Sequence, residues 1–233
     1  MPTGVFKPAS ANDNRYCYPT GDGYNNDAIY IQHPGVPRNV ILMKNVNIAQ
    51  GTVITSSLLT IKSLFDDIGI VTSCNVSANA VDDGVVPSTG TEIRALTTTS
   101  AVVNWSLAAT WVADADYSVD ITTVIQEILN RPGWVSGNDI LIIIDSVGEC
   151  SDDTYRAGVS YGGFSWSAGE EPKVDITWLA LASSEGDAAF DTPFPTFAGR
   201  PGAVSSSKSL LENILNPIML LELNSTPKAL DTF

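Results

Sequence analysis

Apolar residues at Ile121, Val124, Ile125, Ile128 and Leu129 recur at the spacing of one helix face, and predict a short amphipathic helix. Asp120 can accept hydrogen bonds from the free N–H groups that open it. Pro132 cannot donate to a helix and biases Arg131 out of it, so the helix stops there. Ser136-Gly137-Asn138 supplies turn chemistry, and Ile140 to Ile144 is apolar on both faces, as a strand covered on both sides must be.

Elsewhere the period is two. Strands are expected at Ala28 to Gln32, Asn39 to Asn47, Thr52 to Lys62, Ile68 to Val76, Glu92 to Ala95, Ala101 to Leu107 and Lys173 to Trp178. In Asn39 to Asn47 the alternation puts Val40, Leu42 and Lys44 on one face; Val174, Ile176 and Trp178 alternate cleanly in the last strand. Asp82-Asp83-Gly84 and Pro87-Ser88-Thr89-Gly90 are turn clusters. Residues 1–38 read as a turn-rich N-terminal segment that forms part of the body, and 39–180 as the body itself. Many short strands with one short helix predict an all-β fold, an antiparallel sandwich of jelly-roll type.

The pattern changes near residue 180. Ser183 to Asp187 is linker-like, and Phe190 to Pro201 is too rich in Pro and Phe for regular structure. Ser205-Ser206-Ser207 then precedes Leu210, Leu211, Ile214 and Leu215, a Ser-capped helix ended by Pro217. Ile218, Met219, Leu220 and Leu221 continue as an apolar run. Residues 181–233 are therefore expected to be an extended C-terminal arm that buries itself on the sandwich or on another subunit.

Charge narrows the partners. The 233 residues carry 26 acids against 12 bases, a net charge of −14. Such a chain has no electrostatic footprint for nucleic acid and no attraction to an anionic membrane. No run approaches the length of a membrane span, and the first seven residues lack a basic region followed by an apolar one, so no signal peptide is expected and synthesis in a cytoplasm is. Cys17, Cys74 and Cys150 are odd in number and widely spaced, with no CxxC pair, which favours buried reduced thiols over a zinc site.

Candidate chemistry is sparse. His33 is the only histidine, and no G-x-S-x-G elbow, phosphate loop or HExxH is present, so no catalytic residue and no enzyme is expected. The paired carboxylates Asp66-Asp67, Asp82-Asp83, Asp152-Asp153 and Glu170-Glu171 read as solvated turns. Asp22, Asn25, Asn26 and Asp27 offer hard oxygen ligands between glycines and are calcium candidates, although turn chemistry explains them equally well; no other cofactor is implied. Exposed aromatics are the usual platform for sugars, and the loop with Phe164 and Trp166 is the candidate ligand surface. Tyr16, Tyr18, Tyr24, Trp105, Trp111 and Tyr161 are further aromatics to place, with core packing expected for Trp105, Trp134 and Trp178. Arg131 and Trp134, placed after the helix, are expected to lock the fold, Arg131 by binding loop carbonyls and Trp134 by plugging one end of the sandwich.

Four strings carry a family resemblance: Val46 to Ser56, Arg94 to Trp105, Asp120 to Ile144, and Arg156-Ala157 with Ser160-Tyr161 and Glu171 to Val174. Together they resemble the disaggregatase-related, DNRLRE-type carbohydrate-binding-like sandwich module, most specifically in Gln126-Glu127-Ile128 and Asn130-Arg131-Pro132-Gly133-Trp134 followed by Ser136-Gly137-Asn138. The resemblance implies a jelly-roll-like sandwich that binds or scaffolds and does not catalyse. Combined with the acidic body and the apolar arm, the expectation is a structural protein of a virus particle: a phage capsid decoration (cement) protein, localised to the virion, associating with itself as a trimer and with a capsid or other virion protein. The alternative is a carbohydrate-binding module, or a host-attachment or tail component that binds glycans.

Overall fold

The computed structural model describes residues 1–148, 151, 154–163 and 166–180. In chain order the strands are β1 (Thr3–Phe6), β2 (Asn14–Cys17), β3 (Tyr24–Asn25), β4 (Ile29–Ile31), β5 (Arg38–Met43), β6 (Ile54–Lys62), β7 (Asp67–Ile68) and β8 (Thr72–Ala78). Helix α1 (Gly90–Arg94) follows, then β9 (Val103–Leu107), β10 (Thr110–Trp111), β11 (Asp116–Asp120), α2 (Thr122–Leu129), β12 (Ile140–Ser146), β13 (Arg156–Gly158) and β14 (Lys173–Trp178).

Two antiparallel sheets make the sandwich. One has the order β1-β14-β6-β11 and the other β3-β2-β5-β12-β8-β9; the two-stranded ribbons β10-β7 and β13-β4 complete the described strands. Leu59, Ile61, Val174 and Ile176 of the first sheet share one core with Ile41, Val76, Ile142 and Ile144 of the second. The all-β sandwich read from the sequence is what the chain adopts.

β12 explains why a run of five apolar residues is needed. It sits between β5 and β8, with Ile142 opposite Ile41 on one side and Ala78 on the other. Ile140, Ile142 and Ile144 face the main core, while Leu141 and Ile143 join Cys17, Val40, Leu42 and Ile93 in a second cluster. That second cluster is covered by α1, so both faces of the strand are buried.

The expected elements are corrected in several places. Glu92 to Ala95 is not a strand: Thr89 accepts the N–H of Glu92 at 3.2 Å and Glu92 accepts the N–H of Thr89 at 3.1 Å, a capping box that nucleates α1. The body thus has two short helices, and a 3-10 turn at Ala11–Asp13. Ile68 to Val76 is interrupted at Gly69, whose N–H leaves for Ala109 O at 2.8 Å, and splits into β7 and β8. Residues 1–25 are more than turns: β1 pairs with β14 and β2 with β5, one in each sheet. β11, which no alternation of large apolar residues announced, pairs with β6 from Asp116↔Lys62 to Asp120↔Leu58. Lys44 lies beyond β5 and pairs with Asp139 instead of continuing the strand.

Cys17 and Cys74 are buried free thiols, and burial pushes the Cys74 thiol up to about 12. Cys150 lies outside the described residues, as does the whole of 181–233, with Leu210, Leu211, Ile214, Leu215, Ile218, Met219, Leu220 and Leu221. Among the described residues no helix is long and apolar enough to cross a membrane.

Candidate functional site

The corner after α2 is a set of side-chain staples. Asp120 Oδ1 accepts the N–H of Thr122 at 2.8 Å, so its carboxylate opens α2 as expected. Gln126 accepts the Ile54 N–H at 2.8 Å and donates to Thr52 O at 2.9 Å, while Glu127 accepts the N–H groups of Ser100 and Ala101. Trp134 is 3% exposed and donates its indole N–H to Ile48 O at 2.9 Å. Arg131 corrects the expectation of carbonyl contacts: its Nε pairs with Asp82 Oδ1 at 2.7 Å, and it is its own carbonyl that is bound, by Gln50. A Cβ on Gly133 would collide with the same Asp82 carboxylate, and Gly137 turns at φ +101. Asp120, Gln126, Glu127, Arg131 and Trp134 thus each hold backbone or another side chain, and their work is architectural. The groove of about 550 Å³ beside α2 is lined by these same Gln126, Glu127 and Arg131 side chains.

Most of the paired carboxylates are likewise engaged and not simply solvated. Asp67 is 8% exposed, pushed up by burial, and accepts the Ala157 N–H at 3.0 Å. Asp83 accepts the Asp139 N–H at 2.8 Å and Glu170 the Ser167 N–H at 3.0 Å. Asp152-Asp153 lies outside the described residues. In the calcium candidate stretch, Asn25 Oδ1 accepts the Asn26 N–H and Asn26 donates to Ala11 O, which ties the stretch to the 3-10 turn. Asp22 is exposed and its backbone carbonyl accepts the Gly90 N–H, whereas Asp27 is half-buried. Among the described residues no group of three or more His, Cys, Asp or Glu is arranged to hold a metal ion. His33 packs between the rings of Tyr30 and Tyr155, each centroid 5.1 Å away.

The aromatics separate into core and surface. Tyr16, Trp105, Trp111 and Trp134 are buried, Trp111 stacking flat on Tyr117 at 4.2 Å, so none of them is a platform. Tyr18 and Tyr24 are exposed, Tyr24 beneath the Arg15 guanidinium at 4.1 Å. Phe164 lies outside the described residues. Trp166 remains, half-buried, against Tyr161 with centroids 4.8 Å apart.

Trp166 and Tyr161 line a cleft of about 430 Å³ together with Lys7, Lys44, Asn45 and Glu171. That volume falls in the range of about 300–1,000 Å³ usual for small-molecule sites. The cleft is assembled by backbone: Lys44 N donates to Lys7 O at 3.3 Å, which sets the ends of β5 and β1 side by side. Glu171, 6% exposed, organises the opposite wall. It accepts Lys7 Nζ, Trp166 Nε1 at 3.3 Å and Gly169 N at 2.9 Å. Burial alone would raise its pKa, but the Lys7 ammonium and the surrounding N–H donors outweigh that and hold it down at about 2. Lys44 pairs with Asp139, whose carboxylate raises the lysine pKa against the opposing effect of burial. Sequence reasoning singled out Trp166 but missed Lys7, Lys44 and Glu171, which are distant in the chain and carry no local motif.

A second surface lies on the β7–β10 ribbon and its flanks. Phe65, Ile68, Ile70, Val71 and Val112 are all exposed, Ile68 by 82%. No protein-family model matches the chain, and no curated protein matches it at a significant level.

Proposed function

We propose that the chain is a non-enzymatic structural protein of a virus particle, a phage capsid decoration (cement) protein with a DNRLRE-type sandwich as its body. The observation that carries this reading is the apolar ribbon. Five large apolar side chains on one ribbon and its flanks stand in water, and such a patch is the usual mark of a protein interface. In this reading the shell subunit supplies the apolar complement, and residues 181–233 drive self-association into a trimer. The stapled corner makes the body rigid, which suits a mechanical role without chemistry.

Light-scattering mass measurement on the full chain and on residues 1–185 tests the arm. A trimer that becomes a monomer on truncation is the expected result, and equal subunit numbers would reject it. Electron microscopy of heated particles with and without the protein tests the shell role, since particles that survive equally well in both cases would rule it out.

The cleft favours a second reading, a carbohydrate-binding module used for attachment. Its support is the Trp166–Tyr161 pair set beside charged hydrogen-bonding groups.

A further inference from the structure

All four lysines that precede residue 181 line two adjoining clefts on either side of the 168–171 loop. Lys7 and Lys44 line the larger one; Lys62 and Lys173 line a smaller one of about 200 Å³. In a chain of net charge −14 this concentration of cations suggests an anion site at first sight. The pairing says otherwise. Lys7 is matched by Glu171, Lys44 by Asp139, Lys62 by Asp116 and Lys173 by Asp175. Each ammonium group of the larger cleft is therefore matched by a carboxylate, Lys7 by Glu171 in the wall and Lys44 by Asp139 beyond it, which leaves no net charge to hold an anion in a chain whose acidity repels one.

We infer that the cleft between Lys7, Lys44 and Trp166 binds a neutral saccharide, recognised through its hydroxyl groups by paired ammonium and carboxylate side chains. This rests on the carbohydrate-binding reading and goes beyond it in naming the ligand class and the residues. An ammonium has three N–H donors, so each lysine keeps donors to spare after meeting its carboxylate, and the carboxylates keep lone pairs. A sugar hydroxyl both donates and accepts, and neighbouring hydroxyls can bridge such a pair, which simple anions and apolar ligands cannot do. Glu171 fixes Lys7 and the Trp166 indole at once, so donor and aromatic wall are set before any ligand arrives. The Tyr161–Trp166 wall offers ring surface to the C–H face of a sugar.

Calorimetric titration of the full chain with cellohexaose, maltohexaose and mannohexaose, alongside oligogalacturonate and sialyllactose, tests this at low and high salt. At least one neutral oligosaccharide should bind with an affinity that salt leaves unchanged. Lys44→Gln should weaken that binding about tenfold or more, as expected for a hydrogen bond to a charged group, and Tyr161→Leu, which removes ring surface, about threefold or more; each is checked by thermal melting for an intact fold. Lys62→Gln, in the neighbouring cleft, should leave it unchanged. Binding confined to the acidic sugars and abolished by salt would overturn the neutral class while leaving the carbohydrate reading in place. Neutral binding that survives both cleft substitutions would overturn the site. Failure of every sugar in the panel would remove the carbohydrate reading along with the inference.

Discussion

Glu171 and Arg156 are buried charges with opposite kinds of support. Glu171 is ionised because a lysine and several N–H groups surround it, and its pKa is held at about 2 against about 4.3 in an unfolded chain. A depressed carboxyl contributes stability that is complete above the unfolded value and is lost as the pH falls through the folded one. Glu171→Gln should therefore lower the melting temperature at neutral pH and flatten the acid limb of the stability curve between about pH 5 and 2; melts across that range check it, and an unchanged acid limb would count against the role given to Glu171. Arg156 is 1% exposed and spends its guanidinium on carbonyls: Ala108 at 2.8 Å, Ala109 and Ile70 at 3.0 Å, and Tyr155 at 2.7 Å. Burial lowers its pKa, with Asp67 opposing. Arg156→Met strands those carbonyls and should cost about 1–3 kcal/mol for each one left unsatisfied. Arg156→Lys should recover little of this, because a point charge cannot reach four carbonyls at once. Denaturant unfolding of both variants measures the difference.

At the scale of elements, short pieces depend on what holds their ends. α1 has five residues, too few to persist alone, and survives through its capping box and through Ile93, which is fully buried in the second cluster. Arg94 also ties it to the N-terminal turn by donating to Tyr18 O and Gly21 O. Thr89→Ala should cost about 1 kcal/mol. Hydrogen exchange should localise the loss to α1 and its contacts on β2 and β5; a loss spread evenly over the sandwich would show that the cap is not what holds the helix. α2, by contrast, is anchored through Gln126 and Glu127 to the start of β6 and to the turn before β9. Its apolar stripe was legible in the chain; the partners of its polar face were not, since they lie 26 to 74 residues away.

At the scale of the molecule, the apolar ribbon and the cleft make separable predictions. Ile68 and Val71 touch water, so Ile68→Asp and Val71→Asp should leave stability within about 0.5 kcal/mol. The same changes should reduce binding to particles, measured by co-sedimentation, because they place charge in the proposed interface. Retained binding in both variants would move the interface elsewhere. The cleft variants, which alter hydrogen-bonding groups on a different surface, should leave particle binding intact.

The all-β class, α2 with its stop at Pro132, and the doubly buried β12 were determined by the chain itself. Each is set by local periodicity or by a residue with one conformational use. The Glu92 to Ala95 expectation failed although the capping signal Thr89-x-x-Glu92 was present, because a four-residue apolar–polar run fits either period. Trp134 was legible as a structural residue from its position, but its bond to Ile48 O depended on the sheets packing. The carboxylates looked like turn residues and became staples, since whether an acid meets water or a buried donor is decided only when distant strands come together. The cleft belongs wholly to that second category: Lys7, Lys44, Trp166 and Glu171 come from three separate stretches, and it takes the antiparallel pairing of the first strand with the last, together with the Lys44 N–Lys7 O bond, to bring them to one place.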